Sequence, residues 1–200
     1  MINNWNVKSK FLDDGYSTWN YKKIGKNTYN KYSAGILPYT YDVQGKCLFL
    51  LGKDNEGDWS DFGGRCEFKD RNDEKLTACR EFYEETLGAV IDINDCINKL
   101  TQKEQVKIVS KTLNGSPYYM YLLHVEFANY TETFIKTSNF IKYQFNNHIK
   151  IIEKSSIRWV TIDTLLNCID NKKTSPISLR GVFYKTIESC KENIIMLNKC

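Results

Sequence analysis

Residues 63–88, GGRCEFKDRNDEKLTACREFYEETLG, contain the pattern that decides the fold. Their second half predicts a helix over about 73–86, in which Glu81 lies three residues before Glu84 and four before Glu85. Side chains at these spacings share one face of a helix. Three stacked carboxylates repel one another, so the segment predicts a partner of opposite charge.

A hard divalent cation is one such partner. Mg2+ prefers oxygen ligands and is commonly held by carboxylates together with substrate phosphates. The alternative is an acidic, solvated helix face with Arg80 as its partner, and the Arg-Glu-x-x-Glu-Glu run alone does not separate the two.

Gly63 and Gly64 favour the metal site. They follow the apolar run 47–51 and the aromatic residues Trp59 and Phe62, which predicts the order strand, tight glycine turn, helix. Glycine permits positive φ angles and a close approach of the backbone to a ligand.

In this context the segment resembles the Nudix box: Gly, five residues, Glu, seven residues, then Arg-Glu-apolar-x-Glu-Glu-x-Gly-apolar. The residues that fall on this pattern are Gly64, Arg80, Glu81, Phe82, Glu84 and Glu85. The resemblance implies an α/β fold, a Nudix-type α/β/α sandwich with a mixed β-sheet.

The segment departs from the pattern twice. Fifteen residues separate Gly64 from Arg80, two more than the pattern has. The first Glu position falls on Asp70 when counted forward from Gly64 and on Asn72 when counted back from Arg80. The closing glycine, Gly88, comes one residue late.

Length and composition are those of one soluble domain. The 200 residues are 42% hydrophobic and 26% charged, and no apolar run reaches the roughly 20 residues of a membrane span. The first residues lack the apolar middle of a signal peptide, so we expect a cytoplasmic protein. Seven cysteines without a Cys-x-x-Cys motif predict reduced thiols in the core.

Charge is distributed unevenly along the chain. Residues 1–30 carry five Lys against two Asp, and residues 171–200 carry six Lys or Arg against two Glu. An acidic metal site between basic ends suits a polyanionic substrate, although a solvated surface explains the same charges. With only His124 and His148 present, catalysis must depend on carboxylates.

Hydrophobic patterns predict the remaining elements. Strands are expected over 32–43, with Pro38 at an edge or bulge, over 46–53 and over 156–161. A hairpin is expected from 103–113 and 118–129. A linking segment begins at 89, and 130–150 is a long loop or partial helix. Helices are expected over 162–168 and from 178 onward.

These elements suggest three parts. Residues 1–30 are predicted to be an N-terminal extension packed on the core, residues 31–170 the Nudix hydrolase domain, and residues 171–200 a C-terminal amphipathic helix of the same domain. An apolar-Trp-apolar strand and an Asp-x-Leu helix start at 158–166 also resemble the family.

The resemblance implies roles for individual residues. Glu84 and Glu85 would be metal ligands for Mg2+ or Mn2+, and Glu81 a further ligand or a base that orients water. The Gly64 carbonyl would complete the metal shell. Arg80 would pair with the carboxylates and hold their rotamers.

Three other acids are candidates around this set. Glu67 and Asp70 are candidate outer ligands. Many members add an acid from a late loop, for which we expect Glu153, with Glu126, on the predicted central strand, as the second choice. We also expect Glu85→Gln to abolish turnover and to leave the fold intact.

Nudix enzymes hydrolyse a nucleoside diphosphate linked to another moiety, so a nucleotide-type small molecule is the expected substrate. Capped RNA is the alternative substrate, as for the Nudix decapping enzymes of large DNA viruses. The amino-acid composition of this chain would suit such a virus. A non-catalytic Nudix-fold binding module and a structural acidic helix in an unrelated α/β protein are further alternatives. The preferred metal and the oligomeric state do not follow from the sequence.

Overall fold

A mixed β-sheet forms the middle layer of the protein in the computed structural model, which describes residues 32–102, 105–145, 152–171 and 174–197. Seven strands make up the sheet in these ranges. They are β1 (Ser33–Tyr41), β2 (Cys47–Asp54), β3 (Trp59–Ser60), β4 (Phe62–Arg65), β5 (Lys107–Lys111), β6 (Pro117–His124) and β7 (Lys154–Thr161). The helices are α1 (Glu74–Glu85), α2 (Ile93–Gln102), α3 (Tyr130–Gln144), α4 (Ile162–Asp170), α5 (Gly181–Ser189) and α6 (Lys191–Met196).

Strand β1 lies at the centre and changes partner along its length. The sheet order is β3-β2-β1-β6-β5, with β4 on β1 and β7 on β2, and only β1 and β6 are parallel. β1 pairs with β4 over 33–36 and with β2 over 39–41. Pro38 lies between these two pairings, where a missing N–H interrupts neither ladder. On the other side Pro38 lies opposite Leu123 of β6, so it is not on an edge strand, and β1 changes partner beside it.

Helices cover both faces of the sheet. β-strand side chains alternate between faces, so Leu37 and Phe49 join one apolar cluster while Ile36 and Leu50 join another. The first cluster is completed by α4, α5 and α6, and the second by α1, α2 and α3. This arrangement confirms the predicted α/β/α sandwich.

Most predicted elements are present within a few residues of their expected bounds, but the structure refines or corrects three regions. The linking segment after residue 89 contains helix α2, whose Cys96 and Leu100 are buried. For 130–150, where a long loop or a partial helix was expected, the structure decides for the helix, the fifteen-residue α3. The prediction of a single C-terminal helix is wrong, because α5 ends at Ser189 and a separate helix, α6, begins at Lys191.

Cysteines serve as core residues, as predicted. The six cysteines in the described ranges are free thiols, and five of them are buried. The proposed N-terminal extension lies outside the described residues, and the predicted domain boundaries stay predictions. No described helix has the length and apolar character needed to cross a membrane.

Candidate active site

Helix α1 begins at a well-formed cap and ends in an unusual turn. Asp73 Oδ1 accepts the N–H groups of Lys75 at 2.8 Å and Leu76 at 3.2 Å, which satisfies donors left free at the helix start. At the other end both Leu87 (φ 55°) and Gly88 (φ 67°) adopt left-handed backbone. Leu87 occupies the position of the glycine in the box pattern. Because the glycine comes one residue later, the left-handed turn that ends α1 contains two residues instead of one.

The paired glycines lie in strand β4 rather than in a positive-φ turn. Because they have no side chains, they allow neighbouring groups to approach the backbone of β4 closely. A β-carbon on Gly64 would lie 2.5 Å from Cδ of Glu81, and one on Gly63 would lie 2.7 Å from Cα of Gly35. The Gly63 N–H also donates to Oε2 of Glu85 at 2.8 Å. The glycines therefore let α1 place two carboxylates directly against the backbone of β4.

Arg80 connects the acids of the site. Its Nη1 donates to Oε1 of Glu81 at 2.7 Å and to Oε2 of Glu84 at 3.1 Å. Its Nη2 also donates to the carbonyl oxygen of Arg65 at 2.9 Å. The guanidinium is almost completely buried, and its bonds fix the rotamers of two carboxylates.

Asp70 is the second partner of Arg80. Nε and Nη2 of Arg80 donate to its two carboxylate oxygens, each at 2.8 Å. Oδ2 also accepts the Glu67 N–H at 2.7 Å and the Thr77 hydroxyl at 3.1 Å. The hydrogen bonds from Arg80 lower the pKa of Asp70 against the opposing effect of burial. Asp70 thus holds Arg80, and this geometry gives no support to its predicted role as an outer metal ligand.

The two extra residues lie between Asp70 and helix α1. Arg71 (φ 52°) and Asn72 (φ 59°) adopt consecutive left-handed conformations just after a 3₁₀ turn, Phe68–Asp70. Asn72 is exposed. Of the two candidates for the first Glu position, Asp70 is the one that contacts the arginine.

A buried lysine faces Glu85 from strand β7. Nζ of Lys154 lies 3.2 Å from Oε1 of Glu85 and 3.0 Å from the hydroxyl oxygen of Ser60. Burial raises the pKa of Glu81 to about 7 and that of Glu85 to about 8, although Arg80 and Lys154 oppose these shifts. The removal of two carboxylates from water is thus only partly compensated by the two cations.

A second buried carboxylate lies behind the site. Asp61 accepts a hydrogen bond from the hydroxyl of Tyr118, and burial raises the pKa of Asp61 to about 6. The backbone carbonyl of Asp61 is 3.5 Å from Nζ of Lys154. Asp61 therefore forms part of the same polar network as Glu85.

The other predicted acids, Glu153, Glu126 and Glu67, are all exposed. Glu153 is exposed just before β7, and its charge helps to raise the pKa of Glu81. Glu126 lies beyond the end of β6 rather than on the strand, and it is exposed. Glu67 is exposed, and Lys69 bridges it to Glu84, with Nζ to carboxylate distances of 3.3 and 3.0 Å.

The donor set fits a divalent cation at Glu81 and Glu84. Glu84 is half exposed and can be reached from solvent, and Glu153 is an exposed acid nearby. Within the described residues, no three Asp, Glu, His or Cys side chains are already gathered around one point. The reason is visible in the contacts, since Arg80 and Lys154 hold the carboxylates.

Several solved structures are similar to this chain. A Nudix hydrolase from M. smegmatis, RenU, superposes with a TM-score of 0.50 at 13% identity, over 84% of this chain and 88% of that one. A NUDIX hydrolase from Alicyclobacillus acidocaldarius gives 0.46 at 13% identity, over 85% and 91%. The C-terminal domain of mouse MUTYH, solved in complex with human PCNA, gives 0.46 at 12% identity, over 82% and 88%.

No family model matches the sequence, and no curated protein matches it. The chain has the Nudix fold.

Sequence reasoning missed three residues of the site: Lys154, Asp61 and Tyr118. Lys154 and Tyr118 are separated from the box along the chain and reach it only through the pairing of the strands, whereas Asp61 lies just before the paired glycines. Lys154 resembles an ordinary surface lysine at the start of a strand, and Tyr118 one of many strand tyrosines. The sequence contains no signal that singles them out.

Proposed function

We propose that the protein is a divalent-metal-dependent Nudix hydrolase that cleaves the pyrophosphate linkage of a nucleoside diphosphate joined to another moiety. The observation that carries this proposal is the single arginine that joins Glu81 and Glu84, with Glu81 packed against Gly64. This contact gathers the acids of the box at one place beside solvent. A purely structural acidic helix would not need Gly64 to make room for a carboxylate.

The chemistry divides between a metal and the chain. When bound by Glu81, Glu84 and the Gly64 carbonyl, with Glu153 as a further acid, Mg2+ or Mn2+ would neutralise phosphate oxygens and lower the pKa of water. Arg80 keeps Glu81 and Glu84 in place while the substrate binds.

Glu81 has two alternative roles, as a ligand of the ion or as the base that takes the proton. Without an ion, burial raises its pKa to about 7, in the range of a general base near neutral pH, whereas an ion bound to Glu81 would lower that pKa. Oε1 accepts the bond from Arg80, so Oε2 is the atom that would receive the proton from water. The water oxygen bonds to phosphorus, and the P–O bond to the bridging oxygen breaks. That oxygen leaves with the second phosphate.

The contact between Lys154 and Glu85 favours one alternative, a non-catalytic binding module in which Glu85 is permanently neutralised. A release assay separates these functions. The purified chain is incubated with Mg2+ or Mn2+ and ADP-ribose, NADH, nucleotide sugars, diadenosine polyphosphates, nucleoside triphosphates or cap-labelled RNA.

The matched control is Glu84→Gln, because Glu84 is half exposed and its loss leaves the core intact. Cleavage of one small nucleotide by the wild type and its loss in Glu84→Gln would support the proposal. Release of methylated guanosine diphosphate from RNA alone would make the protein a decapping enzyme. Failure to cleave any compound would favour the binding module.

A further inference from the structure

Lys154 occupies a place shaped for its side chain. Only 1% of the side chain is exposed. A β-carbon on Gly52 would lie 3.0 Å from both Cδ and Cε of Lys154, so the absent side chain at that position makes room for the lysine stem. Nζ lies 5.9 Å from the ring centre of Phe62. A buried ammonium is retained only where polar partners compensate for lost water.

Those partners belong to the candidate active site. Nζ contacts Oε1 of Glu85, the hydroxyl of Ser60 and the carbonyl of Asp61. Because Gly63 N–H donates to Oε2, both oxygens of Glu85 are engaged by the protein. Glu85 is also buried, whereas the side chain of Glu84 is 48% exposed.

Glu84 differs in the kind of partner it has. Oε2 of Glu84 contacts the buried Arg80, but Oε1 contacts Lys69, an exposed side chain that can move aside and leave this oxygen open to an ion. Lys154 has no such freedom, because the sheet encloses it. A cation that approaches Glu85 meets a fixed positive charge 3.2 Å from Oε1.

We propose that Lys154 is a positioning residue that supplies one positive charge at Glu85, where a second divalent ion would otherwise bind. The site then takes a single ion, at Glu81 and Glu84, and Glu85 orients the strand that carries Gly63 and Gly64. This inference rests on the proposed function, but it concerns the number of ions and not the reaction.

Mn2+ binding to the full chain tests the inference without use of a substrate. Isothermal titration and the Mn2+ spin-resonance signal give the number of ions and their dissociation constants for the wild type, Lys154→Met and Lys154→Arg. Lys136→Met is the control for net charge, because Lys136 is 75% exposed and pairs with Glu132 on α3. Lys154→Gln is a second variant that keeps a hydrogen-bond donor for Glu85, in case Lys154→Met fails to fold.

We expect one Mn2+ ion on the wild type, on Lys154→Arg and on Lys136→Met. Lys154→Met and Lys154→Gln should bind a second ion. Where the wild type binds one ion, a stoichiometry of one ion in both neutral variants would overturn the inference, whatever the affinity.

The two proposals fail separately. If Mn2+ binds only after Lys154 is neutralised, the inference about Lys154 stands and the metal-dependent activity of the wild type is wrong. If no variant binds Mn2+, both are wrong. If the wild type binds two ions, the inference is wrong and the proposed hydrolase remains.

Discussion

Arg80 holds Asp70 through two parallel hydrogen bonds, Nε to Oδ1 and Nη2 to Oδ2, each 2.8 Å long. Paired bonds of this kind add geometric specificity as well as energy. We expect Asp70→Asn to lower the free energy of unfolding by about 3 kcal/mol, because it weakens the compensation of a buried charge. Urea unfolding measures the change.

Glu67→Gln is the matched control for Asp70→Asn, since Glu67 is an exposed acid of the same loop. Its effect should stay within about 0.5 kcal/mol. Equal effects of the two substitutions would show that the Arg80 contact contributes nothing specific.

Gly64→Ala should reduce turnover by about 100-fold, because a displacement of a reacting group by about 1 Å can cost that much. The added β-carbon would lie 2.5 Å from Cδ of Glu81 and force this carboxylate away from β4. Steady-state kinetics at saturating Mg2+ measures the loss. Gly181→Ala, where a β-carbon meets no neighbour within 4 Å, should keep wild-type turnover. Normal kinetics in Gly64→Ala would rule out a role for Glu81 against β4.

Gly88→Ala tests the turn that ends helix α1. Gly88 has φ 67°, and a β-carbon there would lie 3.0 Å from Cε2 of Tyr83. Backbone strain of this kind costs about 1–3 kcal/mol, so the melting temperature should fall. Thermal unfolding followed by circular dichroism provides the measurement. A melting temperature equal to that of the wild type would mean that the turn relaxes without cost.

Glu85→Gln should abolish turnover, because Glu85 accepts the Gly63 N–H and so holds the strand that carries Gly64, but the structure changes the expectation that the fold is unaffected. Above the Glu85 pKa of about 8, where the carboxylate is ionised, the substitution leaves the ammonium of Lys154 buried without its counter-charge, which costs roughly 3–5 kcal/mol. The double variant Glu85→Gln/Lys154→Met should recover most of that stability and remain inactive. Denaturant unfolding and phosphate release are measured on both proteins, and turnover in either at saturating Mg2+ would count against Glu85.

Asp61 makes stability depend on pH. Its pKa is raised by burial to about 6, so the folded state binds more protons than the unfolded state between about pH 4 and pH 6. The contribution is complete below about pH 4 and is lost as the pH rises through about 6, and it amounts to on the order of 2 kcal/mol.

Urea midpoints from pH 4 to pH 8 test the effect of Asp61. The wild type should lose stability as the pH rises, and Asp61→Asn should make the decline between about pH 4 and pH 6 less steep. The raised pKa values of Glu81 and Glu85 should leave a decline from about pH 4.5 toward pH 8 in the variant. Identical profiles for the two proteins would exclude Asp61 as the source.

Local patterns predicted the box helix well. The run after Asp73 combines a capping residue with apolar positions at helical spacing, and both features act within a few residues. Helix α2 was missed although Ile93, Cys96, Ile97 and Leu100 follow the same spacing. The segment is short, and a helix this short gains its stability mainly from packing against its neighbours.

Partners that are distant along the chain could not be predicted. Lys154 reaches Glu85 because β7 pairs with β2 in a register that shifts between Lys53 and Asp54, which places Lys154 opposite Asp54. A strand register follows from the packing of a whole sheet, and a shift by one residue turns every side chain to the other face. The choice between Asp70 and Asn72 as the partner of Arg80 likewise depends on the path of the loop, which the sequence does not give.

The left-handed pair Arg71–Asn72 lies in the connection between two residues of the site, Asp70 and Arg80, that are held in place independently of it. Asp70 is fixed from one side by strand β4 and its 3₁₀ turn, and Arg80 from the other by helix α1, so their contact does not depend on how many residues connect them. A longer or shorter connection would therefore leave the acids where they are. It is also the natural position at which to graft a peptide tag or a second domain into the chain.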